Sequence, residues 1–248
     1  MSGQILEQQH LTWKKKPTLR AIYEDYYRRI VEACVHGATL EVGGGSGNLK
    51  QYLDSVVSTD LVPTPWIDAA ADAQALPFPD SCFANIVGVD VLHHIERPLR
   101  FLAEASRTLA PGGRLILLEP AITPVSGVFY RFFHPEPVDM SCDPLQEPAA
   151  DPTREPFDGN QAIPTLLFGR YMDKFTTQFP NLNPLQLQRF SFFAYPLSGG
   201  FRPWALIPDN LVGPLLSLEE RLIPLLGSLA AFRLLIVLEH RPTTAQSD

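Results

Sequence analysis

A glycine-rich turn next to an acidic residue is the segment whose residue types are best suited to hold a ligand. Glycine adopts positive φ without strain and lets a ligand approach main-chain N–H groups with no Cβ in the way. The dinucleotide fingerprint fails here because Asn48 and Lys50 stand where it needs glycine, and the Gly-Lys-Ser/Thr of a P-loop is absent. What remains is an acid followed by G-x-G-x-G, formed by Glu41, Gly43, Gly45 and Gly47. The turn predicts a ligand site, with a tight strand-to-helix turn that binds nothing as the alternative.

A second acidic residue, Asp60, ends the next apolar run of the sequence, residues 56–60. An acid about 20 residues beyond a glycine turn, at the end of a second parallel strand, can accept two hydrogen bonds from a ribose diol. Asp60 is therefore predicted to bind a ribose. A carboxylate at a strand end can also serve as a turn former, and that role is the alternative.

The acid followed by G-x-G-x-G resembles motif I of the class I S-adenosylmethionine-dependent methyltransferases. This resemblance implies S-adenosylmethionine as the cofactor, whose charged end carries an ammonium and a carboxylate. Glu41 would suit the ammonium, directly or through water, and exposed N–H groups of the turn would suit the carboxylate. The resemblance also implies that Gly43, Gly45 and Gly47 pass close to the methionine and ribose portions.

Two later segments carry the same resemblance. Asp72-Ala73, followed by a Leu-Pro-Phe run, resembles the family's D-A…L-P-F segment, which implies that Asp72 accepts from the adenine amine and that Ala73 offers a backbone contact. Asp90-Val-Leu-His93-His94 resembles the V-L-H-H segment of ubiquinone/menaquinone-type methyltransferases. It implies Asp90 near the methionine end and His93 or His94 near the transferred methyl group. Either histidine could act as a general base, or the pair could be structural.

Apolar runs and helical stripes alternate over residues 38–119, which predicts a doubly wound parallel α/β sheet. Strands are predicted at residues 38–42, 56–60, 66–70, 86–90 and 114–119, with helices at 49–53 and 98–109. The family resemblance extends this to a Rossmann-like sheet of seven strands with helices on both faces. Strands six and seven are predicted at 190–195 and 232–239, the last antiparallel beside strand five.

Prolines become frequent after residue 120, and this change in composition helps to divide the chain into four predicted parts. They are an N-terminal helical cover (1–37, with 1–17 loose), a cofactor-binding core (38–120), a lid insertion (121–187) and C-terminal strands completing the sheet (188–248). The insertion mixes aromatic and polar residues, as ordered loops over substrate do. Candidate substrate contacts are Tyr26 in the cover and Tyr130, Arg131, His134, Asn160 and Gln161 in the insertion. Plain packing, or hydrogen bonding to the loop backbone, is the alternative for each.

Charge and cysteine usage exclude several function classes. The net charge is −7 over 248 residues, with no broad basic surface to hold nucleic acid. Three cysteines, odd in number and far apart, form neither a disulfide framework nor a metal-type spacing, so no metal is predicted. No secretory apolar segment and no run of about 20 apolar residues occurs, which predicts a cytoplasmic protein without a spanning helix.

The predicted function is methyl transfer from S-adenosylmethionine to a small-molecule acceptor. The aromatic insertion and the apolar segment 211–231 favour a hydrophobic or lipid-like acceptor. Segment 211–231 could pack on the sheet, form a dimer face or touch a membrane surface, so the oligomeric state stays open. Two alternatives remain: a non-catalytic cofactor-binding regulatory or scaffold subunit, and a nicotinamide-dependent oxidoreductase, which Asn48 and Lys50 disfavour.

Overall fold

A single mixed sheet organises the molecule. The computed structural model describes residues 2–147 and 151–241, and within these ranges seven strands lie in the order β3-β2-β1-β4-β5-β7-β6. The strands are β1 (Thr39–Val42), β2 (Val56–Asp60), β3 (Ala69–Ala70), β4 (Phe83–Val89), β5 (Leu109–Pro120), β6 (Leu182–Phe190) and β7 (Arg233–His240). The neighbours from β3 to β5 pair in parallel, and β7 is antiparallel to both β5 and β6. The predicted seven-stranded Rossmann-like sheet is confirmed, including its antiparallel last strand.

Helices cover both faces of the sheet. They are α1 (Ser2–Lys15), α2 (Pro17–Ala33), α3 (Pro98–Thr108), α4 (Pro124–Phe133), α5 (Ile163–Thr165), α6 (Met172–Gln178), α7 (Ala194–Ser198) and α8 (Asp209–Ala230). Short 3₁₀ turns follow β1 and β4 at Leu49–Gln51 and Leu92–His94, and a π-helical turn, Leu166–Arg170, joins α5 to α6. Among the helices of the described ranges, none combines the length and hydropathy of a membrane span.

Alternation along β5 shows how the core is divided into two layers. Leu117 packs with Phe101 of α3 on one face. The next position back, Ile116, packs with Ile22 of α2 on the other face. Successive side chains of a strand point to opposite faces, so a strand covered on both sides is apolar throughout. This is why the central strands are easy to recognise in the sequence.

Two elements near the N-terminus differ from prediction. The stretch expected to be loose, residues 1–17, contains α1, and its Leu6 and Trp13 are buried. These two residues are one heptad apart and therefore face the same side of the helix. The predicted helix at 49–53 is only a 3₁₀ turn, Leu49–Gln51. The turn after β1 is thus left open to the carboxyl edge of the sheet.

Strand six was predicted at the wrong place. The strand is Leu182–Phe190, and residues 190–195 instead lead into α7. The Glu219 carboxylate accepts the backbone N–H groups of Phe192, Phe193 and Ala194, so these groups are not available to a sheet ladder. The true strand lies at the sheet edge, and its exposed residues are Leu185, Gln186 and Leu187, so polarity does not mark its buried face and its pattern is hidden.

The apolar segment 211–231 forms most of α8, which presents one side to the molecule. Val212 and Gly227 are buried, and Val212 joins the core layer that contains α2. Leu218 and Leu225 on the other side are 50% and 75% exposed. Packing therefore accounts for one side of the segment only. Residues 242–248, placed in the predicted C-terminal part, lie outside the described residues.

Candidate functional site

A cavity of about 1090 Å³ opens at the carboxyl ends of the parallel strands, the edge where open α/β sheets bind ligands. The predicted acids of four successive segments line it together. Glu41 comes from β1, Asp60 ends β2, Asp72 follows β3, and Asp90 follows β4. We call these four residues the acidic wall. Because parallel strands deliver their carboxyl ends to one edge, their proximity follows from the topology.

The glycine turn has the backbone that its composition predicts. Gly43, Gly45 and Gly47 have φ values of 63°, 49° and 72°. The Gly45 N–H donates to Asp60 Oδ2 over 2.9 Å, which ties the turn to the end of β2. Gly43 and Gly45 line the cavity, whereas Gly47 faces Trp66, whose ring a Cβ at position 47 would approach to 2.4 Å. Gly47 thus allows close packing beneath the turn and is not part of the cavity lining.

Glu41 is a buried carboxyl with one side toward the cavity. Its side chain accepts a hydrogen bond from the Ser58 hydroxyl, and the residue is 4% exposed. Burial raises the pKa of Glu41 to about 7, although the Ser58 hydrogen bond and the charge of Lys50 act in the opposite direction. A cation arriving in the cavity would favour the ionised form.

Asp60 and Asp72 are held in place by main-chain donors. Asp60 Oδ1 accepts from the Val62 N–H over 2.9 Å, and Asp72 Oδ1 accepts from the Gln74 N–H over 2.8 Å. Ala73, beside Asp72, also lines the cavity. Fixed carboxylates of this kind present acceptor oxygens at defined positions, which suits a ligand that carries hydroxyl and amino donors.

Asp90 is engaged by the buried Arg233 of β7. The Arg233 guanidinium forms an ion pair with Asp90 Oδ1, lies 4.3 Å from the Tyr195 ring centroid and also lines the cavity. The Tyr23 hydroxyl donates to Asp90 Oδ2 over 3.3 Å. Asp90 itself has a φ of 55°. Sequence reasoning missed Arg233, although a single arginine inside the apolar run of the last strand was a usable signal.

The two histidines lie against carboxylates that are distant in sequence. His93 Nδ1 lies 2.6 Å from Glu119 Oε2, and His93 Nε2 lies 3.2 Å from Glu136 Oε2. His94 Nε2 lies 3.9 Å from the same Glu136 oxygen. Burial lowers the pKa of His93, but the two carboxylates outweigh burial and raise it overall. Burial lowers the pKa of His94. Glu119 and Glu136 were not recognised from the sequence.

The substrate candidates divide into two groups. Tyr130, His134 and Gln161 line the cavity. Tyr26 and Asn160 do not, which corrects the expectation for both. Tyr26 is fully buried in the core with its hydroxyl 2.8 Å from Ser191 Oγ, and Asn160 fastens a loop through two hydrogen bonds to the main chain of residue 139. Arg131 also lies outside the lining.

Large aromatic side chains also line the cavity. We call this set the aromatic wall; it consists of Phe129, Phe133, Phe157, Tyr195, Phe201 and Trp204. His94 packs edge-on against Phe157 at 6.2 Å between ring centroids, so the histidine pair lies where the two walls meet. The first helix also contributes to the lining, through Ile5, Leu6, Gln8 and Gln9.

Three potential metal ligands meet at this junction, although no metal site was predicted. Ligand atoms of His93, His94 and Glu136 all lie within 4.8 Å of one another. The sequence shows no such spacing, because Glu136 comes from the loop after α4 rather than from the strand edge. Only the return of that loop over the cavity brings it to the histidines.

Comparisons with known proteins agree with the architecture. Residues 40–117 match the family model described as a methyltransferase domain. Two curated relatives are demethylmenaquinone methyltransferases. That of Lysinibacillus sphaericus is 27% identical over 54% of this chain and 62% of its own length. That of Thermus thermophilus is 31% identical over 43% of this chain and 60% of its own length. Across the first curated relatives, the chain spans between 20% and 62% of their length.

A solved structure supports the fold over nearly the whole chain. The SAM-dependent methyltransferase from Thermotoga maritima shares 14% identity, with a TM-score of 0.53 and coverage of 95% of this chain and 94% of that one. The acidic wall fits the cofactor of this family, because S-adenosylmethionine offers an ammonium, ribose hydroxyls and an adenine amine to carboxylate acceptors. Residues 40–117 match the methyltransferase-domain model, and the sheet topology around them is that of the class I S-adenosylmethionine-dependent methyltransferase fold.

Proposed function

We propose that this protein transfers the methyl group of S-adenosylmethionine to a small hydrophobic acceptor. One observation carries the proposal: the acidic wall and the aromatic wall belong to the same cavity. Ligand pockets for one drug-sized molecule typically have volumes of about 300–1,000 Å³. At about 1090 Å³ the cavity exceeds that range, which supports room for a cofactor and an acceptor side by side.

In this proposal the acidic wall holds the cofactor. Glu41 pairs with the ammonium, Asp60 accepts from the ribose hydroxyls, and Asp72 with Ala73 receives the adenine. Main-chain groups at Gly43 and Gly45 lie along the methionine and ribose portions, while Gly47 keeps the turn closed. Asp90 lies toward the methionine end, where Arg233 balances its charge. Support comes from the position of these residues on one wall and from their chemistry as acceptors.

The protein's part in the reaction is chiefly positioning. The sulfonium of the bound cofactor supplies an activated methyl group. In-line placement of an acceptor against that methyl group can account for much of the rate. If the acceptor must lose a proton, a group at the junction of the two walls has to assist. His93 and His94 are our candidates, because both line the cavity there.

The acceptor is proposed to be aromatic and hydrophobic, with a hydroxyl. The aromatic wall offers flat apolar faces, and Tyr130 and His134 add a polar border. The curated relatives named demethylmenaquinone methyltransferases suggest quinol-type compounds as the first acceptors to test. Exposed apolar side chains on α4, including Phe132 at 72% exposure, are compatible with an acceptor delivered from a lipid environment.

The test has two stages. Calorimetric titration with S-adenosylhomocysteine and S-adenosylmethionine measures cofactor binding, and we expect micromolar affinity. Transfer of a labelled methyl group is then followed over a panel of naphthoquinols and phenols, with and without isoprenoid tails. Cofactor binding with no transfer across the panel would favour the non-catalytic subunit. Selective binding of nicotinamide dinucleotides in place of both S-adenosyl compounds would favour the oxidoreductase.

A further inference from the structure

We propose that His93, His94 and Glu136 form a site for a divalent transition-metal cation, best suited to Zn²⁺. The three side chains converge from two segments of the chain onto the junction of the acidic and aromatic walls. Two imidazoles and one carboxylate, with one further position open, are the ligand set of several catalytic zinc sites. The cavity supplies the open side, because all three residues line it.

The distances match the edges of a small coordination polyhedron. With metal–ligand bonds of about 2.0–2.2 Å, neighbouring ligand atoms of a tetrahedral zinc site lie about 3.3 Å apart. Glu136 Oε2 lies 3.2 Å from His93 Nε2 and 3.9 Å from His94 Nε2. The remaining pair, between the two histidines, also lies within 4.8 Å.

Hydrogen bonding leaves the correct ring nitrogens for a cation. His93 Nδ1 faces the Glu119 carboxylate at 2.6 Å, and His94 Nδ1 faces the Asp158 carbonyl at 3.4 Å. Each Nδ1 keeps a proton toward its own acceptor, and a cation would replace the proton that His93 Nε2 directs to Glu136 Oε2, that proton leaving to water. Carboxylate and carbonyl partners of this kind orient histidine ligands in known metal sites and raise their basicity. Glu119, fully buried behind His93, is thus a positioning residue.

Charge in the surroundings favours a cation. Glu119 and Glu136 contribute two carboxylates within contact of His93. The nearby Arg154 guanidinium is directed to the main-chain oxygens of His94 and Asp158, and so it does not pair with Glu136. A divalent cation that replaces the His93 proton would supply more positive charge to both carboxylates in a largely buried setting, where an uncompensated charge is costly.

The role that we assign to the cation is activation of the acceptor hydroxyl, and this part rests on the proposed function. The hydroxyl oxygen binds the open position, its O–H bond breaks, and the proton leaves to water. The resulting oxyanion forms a bond to the methyl carbon while the S–C bond breaks and its electron pair stays on sulfur. Where an activated ring carbon forms that bond instead, its C–H bond then breaks and the proton leaves to water. A metal-bound hydroxyl ionises more readily than a free one.

The test measures metal binding without relying on turnover. Protein free of any histidine tag is stripped with a chelator, and Zn²⁺ affinity is then measured by competition with a chromophoric chelator. We expect one Zn²⁺ per chain and, with Co²⁺, the visible absorption of a four-coordinate nitrogen and oxygen site. His94→Ala and Glu136→Gln should each weaken affinity at least about 100-fold. Glu119→Gln should weaken it about 10- to 100-fold, as loss of a ligand's hydrogen-bond partner does.

Matched controls separate a lost site from a damaged fold. His36→Ala removes a histidine of the loop before β1 and should leave Zn²⁺ affinity unchanged. Titration with S-adenosylhomocysteine should give the same affinity for every variant, which shows that the cavity is intact. Absence of stoichiometric Zn²⁺ from the wild type, or equal affinities in wild type and His94→Ala, would overturn the site. An unchanged transfer rate in the stripped enzyme would overturn the acceptor role, while Zn²⁺ binding without any transfer would refute the proposed function and leave the site standing.

Discussion

Arg233 of β7 and Asp90, which follows β4, form an ion pair in the wall of the cavity. The arginine is 1% exposed, and the aromatic rings of Tyr195 and Tyr26 lie 4.3 and 5.5 Å from its guanidinium carbon. The pair joins the last strand to the loop that carries the histidines. It therefore couples the last strand to the histidine end of the cavity.

We expect Arg233→Met to destabilise the fold by about 2–4 kcal/mol, because removing one partner leaves the other charge without compensation. This destabilisation is smaller than that expected for a fully buried pair, because the Asp90 side chain is 29% exposed to solvent. Urea unfolding measures the change. Arg241→Met removes the exposed partner of Glu239 and should have little effect. Equal losses in the two variants would mean that the buried pair contributes nothing beyond a surface pair.

Asp60→Ala should weaken S-adenosylhomocysteine binding by about 1–3 kcal/mol, the loss expected when hydrogen bonds to a charged acceptor are removed. The carboxylate also accepts from Gly45 and Val62, so thermal unfolding must be followed in parallel. Asp54→Ala, in the exposed loop before β2, is the matched control and should bind as the wild type does. Unchanged affinity in Asp60→Ala would show that the ribose site is elsewhere.

Because of Glu41, we expect the stability of the fold to fall and the affinity for the cofactor to rise as pH increases. Burial raises the pKa of Glu41 from 4.5 to about 7. The folded state therefore binds the Glu41 proton more tightly than the unfolded state does. Protonation of Glu41 thus adds to the free energy of unfolding below pH 4.5, and this added stability is lost as pH rises toward 7. At about 1.4 kcal/mol per pKa unit, the loss amounts to about 3 kcal/mol. Cofactor affinity should rise over the same window, since in our proposal the ammonium pairs with the ionised carboxylate.

The comparison variant for this effect is Glu41→Gln. Unfolding in urea at a series of pH values should show the wild type losing stability relative to Glu41→Gln between pH 4.5 and 7. Titration with S-adenosylhomocysteine should show the affinity of the variant nearly flat with pH. Parallel stability curves for the two proteins would place the titrating group elsewhere. Lys50, Asp60 and Asp68 act on Glu41 and are retained in both proteins.

Lys16 holds the loop that carries part of the aromatic wall. Its ammonium nitrogen lies 2.6–2.8 Å from the carbonyl oxygens of Ser198, Gly200, Arg202 and Trp204, which share its three N–H donors. Hydrogen bonds to a charged group contribute about 1.5–3 kcal/mol, so Lys16→Met should destabilise the fold by about that amount. Hydrogen exchange should also become faster over residues 198–204. Lys15→Met, at an exposed neighbouring position, should change neither quantity.

The sequence by itself determined the fold class and the acidic wall. Both follow from local rules: apolar runs mark buried parallel strands, and the carboxyl ends of those strands meet at one edge. Glu41, Asp60, Asp72 and Asp90 therefore come together whatever the details of packing. The cofactor class followed from the same segments, because the acid and glycine spacing depends on a few consecutive residues. The assigned roles of the individual site residues remain predictions.

Only the tertiary structure decided which distant side chains complete the site. Glu119 and Glu136 reach His93 from β5 and from the loop after α4, and Arg233 reaches Asp90 from the last strand. Tyr26, by contrast, is turned into the core although its helical stripe allowed a place in the cavity. Helical and strand periodicity define which face a residue occupies, but not which segment packs against that face. Those pairings are set by how loops and helices close over the sheet, which depends on the packing of the whole chain.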